Sequence, residues 1–284
     1  MKIFSTRDII EYYDSTEVHY RRWWKFEETM CLHYALWDKN TKNIAQGIEN
    51  NNAWLSELGE IKSTDYVLDA GCGPGGSSIY LAKRYGCRVK GVSLSKRQVE
   101  IANEFAQKHG VADLVSFEEM DYNFTSFPDN TFDVIWGIES IQTTEDKKVF
   151  FKEARRILKP GGRILIGDYF KTYPYNVEEE WAIRWMLHGW AISDIAGLDE
   201  FKEIGKEHGI LYIKDRDVHT EIRKTVNLLM VIGYIGMYGS ILYNTFVHKT
   251  SDFSHFHHRS YFGQFFSYYK NQWRYRLTLF RKEG

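Results

Sequence analysis

A short apolar strand that runs into an acidic residue and then a glycine-rich turn is the feature that most constrains this chain. Residues 67–76 read Val-Leu-Asp-Ala-Gly-Cys-Gly-Pro-Gly-Gly, with the acid at Asp69. Glycine adopts positive φ without strain and lets a ligand approach the main chain closely. A helix predicted over 77–85 points its positive end into the same crevice. A parallel α/β sheet presents a nucleoside in this way, so the sequence predicts a cofactor-binding enzyme.

The position of the acid distinguishes two kinds of cofactor site. A pyrophosphate-binding G-x-G-x-x-G turn has its acid about twenty residues later, at the end of the second strand. Here residues 88–95, the predicted second strand, end in Ser-Leu-Ser, and Asp69 stands directly before the turn. The pattern therefore disfavours a dinucleotide.

The Asp-x-Gly-Cys-Gly-x-Gly-Gly pattern of residues 69–76 resembles the first motif of the class I S-adenosylmethionine-dependent methyltransferases. Residues 91–98 resemble the version of the second motif found in tocopherol, sterol-type and cyclopropane-synthase-like members, which also lack the usual ribose-binding acid. Three further segments resemble the family in the right order: the adenine-contacting segment at 120–122, the fourth strand at 132–136 and the turn before the fifth strand at 158–162.

The resemblance implies S-adenosyl-L-methionine as the cofactor. Asp69 is the leading cofactor residue, although a strand-end acid that caps the following helix would occupy nearly the same place. Asp121 is assigned to the adenine amino group; its alternative is a solvated turn residue. The implied cofactor-binding set is Asp69, Gly71, Gly73, Gly75, Ser93, Leu94, Gln98, Asp121, Tyr122 and Ile138.

Short β-rich runs alternate with helical runs between residues 66 and 168, which predicts a doubly wound, mostly parallel α/β sheet. The resemblance implies a seven-stranded, Rossmann-like methyltransferase fold. We expect four segments: an N-terminal helical cap over 1–60, the cofactor-binding core over 61–170, lid helices with the remaining core helix and sixth strand over 171–272, and the final antiparallel strand over 273–284.

Three local patterns predict helices and their ends. Ser95 caps a helix that runs to His109, residues 145–157 form a second helix, and residues 177–191 form an aromatic-rich lid helix.

Residues 225–247 contain no charged side chain and are numerous enough to span a bilayer. A span would place the final strand on the side opposite the sheet that it must complete, so we interpret the segment as one or two apolar lid helices. Its glycines at 233, 236 and 239 permit close packing, which leaves dimerisation or contact with a membrane surface as alternatives.

Composition bounds the partners. The formal net charge of −1 provides no long-range field that would attract nucleic acid, so a small-molecule acceptor is expected instead. Cys31, Cys72 and Cys87 match neither a disulfide framework nor a metal site and are interpreted as reduced thiols. The amino terminus lacks the apolar core of a secretory signal, which favours a cytoplasmic location.

Phe, Trp and Tyr make up 16% of the chain, and many of them lie outside the cofactor core. Any single ring is expected merely to pack, but as a set the rings can stabilise a sulfonium or a developing carbocation and enclose an apolar acceptor. The predicted substrate pocket consists of Tyr20, Trp24, Tyr34, Trp185, Tyr234 and Tyr238.

Two residues are candidate catalytic groups. Glu139 follows the fourth strand, at the carboxyl edge where ligands bind in open sheets, and its carboxylate can take a proton from an acceptor. The resemblance supports this role; a helix-terminal acid is the alternative. His257, in the cluster 255–259, is a candidate base for a phenol or amine, with a solvated loop as the alternative. The spacing of this cluster predicts no metal site.

These observations predict a methyltransferase that acts on carbon or oxygen of a small lipophilic acceptor of prenyl, sterol-like or phenolic type. Three alternatives stay open. They are an N-methyltransferase of a small amine, such as a glycine derivative or phosphoethanolamine, a cyclopropane-forming lipid enzyme, and a catalytically silent partner protein that binds the cofactor.

Overall fold

The computed structural model describes residues 2–246 and 252–284. Within these ranges it does not describe the side chains of 17–20, 22–23, 239–246 and 252–256. Tyr20 of the predicted pocket therefore lies outside the described side chains.

A seven-stranded sheet forms the centre of the molecule, with the order β3-β2-β1-β4-β5-β7-β6. Its strands are β1 (Tyr66–Ala70), β2 (Arg88–Ser93), β3 (Val115–Glu119), β4 (Phe132–Ile138), β5 (Leu158–Lys171), β6 (Ile210–Asp217) and β7 (Trp273–Lys282). All neighbours pair in parallel except β7, which is antiparallel to both β5 and β6. The predicted fold class and the antiparallel final strand are confirmed.

The helices follow in the order α1 (Thr6–Trp23), α2 (Phe26–Thr29), α3 (Ile44–Gly59), α4 (Gly76–Tyr85), α5 (Lys96–Lys108), α6 (Lys147–Ile157), α7 (Trp181–His188), α8 (Leu198–Glu207), α9 (Arg223–Phe246) and α10 (Asp252–Tyr269). A short 3₁₀ turn, Ile141–Thr143, follows β4.

Helices cover both faces of the sheet, as expected for a doubly wound fold. The apolar cluster on one face includes buried residues of α3, α4 and α5, and the cluster on the other face includes those of α6 and α8. The side chains of β4 alternate between these clusters: Trp136 joins the first and Ile135 the second. The period-two geometry of the strand thus divides its residues between two cores.

Capping residues explain where the predicted helices begin. Ser95 caps α5, because its hydroxyl accepts a hydrogen bond from the Gln98 amide at 3.2 Å. Asp146 caps α6 by accepting from the Lys148 amide at 2.9 Å, so α6 begins two residues later than the predicted Glu145.

The lid helix α7 is shorter than the predicted 177–191. Asn176 accepts a hydrogen bond from the amide of Glu178 and organises a turn before the helix. At the other end, Ala191 has a φ of 54°, which a continuing α-helix does not permit.

The apolar segment predicted as lid forms most of α9, and its last residue, Val247, lies outside the described residues. In the part of the chain that the structure describes, no helix has both the length and the apolar character needed to cross a membrane. Cys31, Cys72 and Cys87 are buried free thiols. The predicted segment boundaries at 60, 170 and 272 stay predictions.

Candidate active site

A deep cavity opens at the carboxyl ends of β1, β2 and β4, and helices α1, α9 and α10 contribute to its opposite wall. It encloses about 1230 Å³ of empty space, with open solvent at its mouth included. The predicted residues that line it are Trp24, Tyr34, Asp69, Gly71, Gly73, Ser93, Leu94, Gln98, Tyr122, Ile138 and Glu139.

Asp69 is buried at the end of β1 and lines the cavity floor. Its Oδ2 accepts a hydrogen bond of 2.6 Å from the hydroxyl of Ser78 on α4. Burial raises the pKa of Asp69 to about 7, against the opposing effect of the hydrogen bond from Ser78. A cationic ligand group beside this carboxyl would favour its charged form, so the position suits an ammonium.

The turn between β1 and α4 requires glycine for two separate reasons. Gly71 has a φ of 87°, and a Cβ there would lie 2.5 Å from the Cβ of Ser140. Gly75 has a φ of 89° and caps α4, where a Cβ would lie 2.8 Å from the ring of Phe117. Gly75 therefore shapes the turn from behind and is not part of the described cavity lining. Gly73 lines the cavity, and its missing Cβ leaves open space.

The end of β2 carries serine where many nucleotide sites carry an acid. The Ser93 hydroxyl donates to Gln98 Oε1 at 2.9 Å, and both side chains line the cavity with Leu94. The next hydroxyl, that of Ser95, donates to Asp14 Oδ1 on α1 at 2.7 Å. This bond ties the N-terminal helix to the strand edge beside the cavity.

Tyr122 and Asp121 lie at different places relative to the cavity. The Tyr122 ring lines it, and its hydroxyl donates to the Ser140 carbonyl at 2.7 Å. Asp121 does not line the cavity in the structure; its Oδ1 accepts from the amide of Asn123 at 2.8 Å. The turn hydrogen bond holds the carboxylate, and its assignment to an adenine amino group stays a prediction.

Glu139 is the residue that follows β4, and it has a φ of 52°, a conformation rare for a non-glycine residue. Its Oε1 accepts hydrogen bonds from the Tyr34 amide at 2.7 Å and from the Tyr275 hydroxyl at 2.8 Å. Enclosure raises the pKa of Glu139 to about 8, although both hydrogen bonds favour the charged form. The structure thus places a carboxyl poised near neutral pH on the cavity wall.

A second layer of hydrogen bonds fixes this carboxyl. Asn51 on α3 donates through Nδ2 to the Tyr275 hydroxyl and to the Tyr34 carbonyl, each at 3.0 Å. The sequence interpretation missed Tyr275 and Asn51. The sequence does contain a pattern that could have identified Tyr275. The alternation of side chains in β7 places Tyr275 on the same face as the apolar Trp273 and Leu277.

Aromatic rings make up much of the cavity lining. Besides the predicted Trp24 and Tyr34, the rings that line the cavity are Tyr12, Tyr13, Tyr122, Tyr169, Trp190 and Tyr261. His33 also lines it, and burial lowers the pKa of His33 to about 4, so its imidazole is neutral at pH 7.

Several predicted site residues lie away from the cavity lining. On α9, Tyr234 is 48% and Tyr238 64% exposed. Leu229 on the same helix lines the cavity, and the two tyrosines lie on a different face of the helix, which points to solvent. Trp185 on α7 packs edge-on against Trp181, with ring centroids 5.4 Å apart.

His257 is buried within α10 and does not line the cavity either. Its ring lies between those of Tyr12 and Tyr261, with centroid distances of 5.8 and 4.8 Å. The role of His257 as a base stays a prediction, and the solvated-loop alternative is wrong because the residue is buried in a helix. Among the described residues, no group of three or more His, Cys, Asp or Glu side chains is arranged to hold a metal ion.

Comparisons with known proteins identify relatives of this chain. Residues 68–166 match the family described as a methyltransferase domain. The 27-O-demethylrifamycin SV methyltransferase of Amycolatopsis mediterranei is 33% identical over 63% of this chain and 66% of its own length. A phosphoethanolamine N-methyltransferase of Zea mays is 36% identical over 58% of this chain and 32% of its own length. The chain thus spans between about one third and just under two thirds of these relatives.

The fold also matches solved structures. The cyclopropane synthase MmaA2 from Mycobacterium tuberculosis superposes with a TM-score of 0.81 at 15% identity, over 99% of this chain and 100% of that chain. The glycine turn, the buried acid before it and the cavity at the strand ends fit a sulfonium nucleoside with an amino-acid tail. The chain therefore carries a methyltransferase domain of the S-adenosylmethionine-dependent class.

Proposed function

We propose that this chain transfers a methyl group to oxygen or carbon of a small lipophilic acceptor, with Glu139 as the general base. The observation that carries the proposal is the position of Glu139: its carboxyl lines the same cavity as Asp69 and the glycine turn. Prenyl, sterol-like and phenolic compounds suit the aromatic wall.

S-adenosylmethionine supplies an electrophilic methyl group on a sulfonium when it is bound. Asp69, Ser93 and Tyr122 are the residues that we expect to hold it. The remaining wall must orient the acceptor and exclude water. For a phenol or an acidic C–H group, the Glu139 carboxylate would take the acceptor proton as the new bond to the methyl carbon forms and the methyl–sulfur bond breaks, its electron pair staying on sulfur.

The environment of Glu139 supports this role. A general base is most effective when its pKa lies near the working pH, and enclosure raises the pKa of Glu139 to about 8. The Tyr34 amide and the Tyr275 hydroxyl hold one carboxyl oxygen, Oε1. The second oxygen has no hydrogen-bond partner among the described residues. A half-buried carboxyl on a left-handed residue is costly, which supports a catalytic use over a silent, cofactor-binding role.

N-methylation of a small amine is the second candidate. Aromatic rings beside the Glu139 carboxylate can hold an ammonium through their negative faces. His33 is neutral, and the described cavity lining contains neither lysine nor arginine. This electrostatic character supports an uncharged or cationic acceptor over a phosphorylated one.

The test begins with calorimetric titration of the purified protein with S-adenosylmethionine. The protein is then incubated with cofactor and separate prenyl, phenolic, amine and phosphoamine acceptors, and mass spectrometry detects the methylated product. We expect cofactor binding and a mass gain on a phenolic or prenyl acceptor. Mass gain confined to amines would favour the second candidate; cofactor binding with no mass gain on any acceptor would favour the silent partner.

Contact of α9 with a membrane surface or with a second copy of the chain also stays a proposal, as does a cytoplasmic location. Val231, Ile235 and Tyr238 on this helix are 56%, 51% and 64% exposed. Sedimentation with lipid vesicles tests the first, and light scattering tests the second. An Ile235→Asp variant that behaves like the wild type in both measurements would contradict both.

A further inference from the structure

The Gln264 side chain on α10 is a buried amide in the cavity wall, and no described residue is hydrogen-bonded to it. The residue has no exposed surface and lines the cavity. Among the described residues, neither its Oε1 nor its Nε2 has a hydrogen-bond partner. Buried amides in folded proteins nearly always have one, because the group loses its bonds to water on burial.

Close packing against α7 fixes the part of α10 that carries this amide. Gly263 lies against α7 so tightly that a Cβ there would be 2.4 Å from the Met186 nitrogen and 2.6 Å from the Ala182 carbonyl oxygen. One turn before Gln264 in α10, Ser260 packs equally closely against the end of α7: a Cβ on Gly189 would lie 2.5 Å from the Cβ of Ser260. The backbone of α10 is therefore held against α7 over the turn that leads to Gln264.

The helix presents one consistent face to the cavity. Tyr261 precedes Gln264 by three residues, so the two side chains lie on the same side of α10, and both line the cavity. Leu229 of α9 adds an apolar side chain to this wall. The candidate cofactor residues, by contrast, lie at the strand ends around Asp69 and Ser93. The amide thus belongs to the part of the cavity left for the acceptor.

We propose that Gln264 binds a second polar group of the acceptor, distinct from the atom that is methylated, and that this group is a hydroxyl. A carboxamide offers one acceptor oxygen and two N–H donors, and a hydroxyl both donates and accepts. An acceptor with an apolar body and two oxygen functions would satisfy Glu139 at one and Gln264 at the other. This inference rests on the proposed function, because it identifies the cavity as the acceptor site.

The test compares an alkylhydroquinone with the alkylphenol that lacks the second hydroxyl. Binding to the full chain is measured by calorimetry in the presence of S-adenosylhomocysteine, so that no turnover is needed. The wild type is expected to bind the hydroquinone roughly 10- to 100-fold more tightly, because a buried polar group rejects a ligand that leaves it unpaired. In Gln264→Leu this preference should disappear while the affinity for S-adenosylhomocysteine is unchanged.

Gln272 provides the matched control. It is a buried glutamine outside the described lining of the cavity, and its Nε2 donates to Glu180 Oε2 at 2.8 Å. Gln272→Leu should lower the melting temperature and preserve the hydroquinone preference. Gln264→Leu should melt no lower than the wild type, since it removes an unpaired amide.

Three outcomes would overturn the inference: equal binding of the two compounds to the wild type, including no binding of either; a preference that survives in Gln264→Leu; or a marked fall in the melting temperature of that variant. Failure of the proposed function gives a different result. In that case the preference depends on Gln264, yet neither compound gains mass when S-adenosylmethionine is supplied.

Discussion

The two sides of the cavity are held together by different forces. On the strand-end side, hydrogen bonds fix the functional side chains, as when Ser78 binds Asp69 and the Tyr275 hydroxyl binds Glu139. On the helical side, ring contacts dominate, such as those of His257 with Tyr12 and Tyr261.

The two sides of the cavity therefore have different tasks: one positions reactive groups, and the other selects the acceptor. Directional hydrogen bonds hold a carboxyl in one position, as the handling of a reactive cofactor requires. Packed rings supply shape and apolar surface, which discriminate among acceptors without fixing one chemistry. The strand-end side should therefore control turnover and cofactor affinity, and the helical side should control acceptor choice.

The largest effect is expected from Glu139→Gln. The amide keeps the shape of the side chain but cannot take a proton, so turnover should fall by roughly 10²- to 10⁴-fold with cofactor affinity unchanged. Initial rates with the methylated acceptor, together with calorimetry, measure both. Glu118→Gln is the control, because this exposed carboxylate lies on the edge strand β3 and pairs with Lys90 on β2. Retained turnover in Glu139→Gln would remove the base from the mechanism.

Asp69→Asn should act on cofactor affinity. Loss of a charged partner for an ammonium typically costs about 1.5–3 kcal/mol, so the affinity should fall by roughly 10- to 100-fold. Calorimetric titration with S-adenosylmethionine measures it. Asp133→Asn is the control, since this carboxylate binds Lys159 near the start of β4, at the strand end away from the cavity. If both variants lost affinity equally, the effect would be one of stability.

The pH dependence should follow Glu139. Because a base acts in its deprotonated form, kcat/KM should rise as the pH increases through about 8, and Glu139→Gln should abolish this rise. In Tyr275→Phe the carboxylate loses a donor, so its pKa rises and the profile moves to higher pH. At pH 7 the rate should fall by about 3- to 10-fold.

Tyr212→Phe is the control for the tyrosine, since its hydroxyl donates to Asp215 on β6, away from the cavity. An unshifted pH profile in Tyr275→Phe would show that this hydroxyl does not set the protonation of Glu139.

The sequence predicted the strand-end side well because its signals are local. The sheet, the antiparallel β7 and the Ser95 cap each follow from a pattern within a few residues, and Asp69 lies on the cavity beside its glycine turn. The helical side depends on how distant helices rotate against each other. Tyr234 and Tyr238 on α9 were therefore assigned to the pocket, although they face solvent.

Gln264 shows why local sequence patterns do not identify residues on the helical side of the cavity. It stands in the aromatic run 261–269 of α10, an unusual place for an amide. Gln264 lines the cavity because of how α10 packs against α7, with Gly263 at the contact. Likewise, Tyr275 contacts Glu139, and Asn51 contacts Tyr275, from positions far along the chain, and no short pattern links the three residues.

The smallest effects are expected on the free energy of unfolding, from alanine substitutions at one glycine beside the cofactor turn and one on α9. A Cβ on Gly76 would lie 2.3 Å from Cys31 Sγ and 2.5 Å from the Met30 carbonyl oxygen, whereas one on Gly236 of α9 meets nothing within 4 Å. Gly76→Ala should therefore lower the free energy of unfolding by about 1–3 kcal/mol. Gly236→Ala should raise it by about 0.5–1 kcal/mol, because alanine favours the helix. Urea denaturation measures both, and equal changes in the two variants would contradict the difference in packing between these two positions.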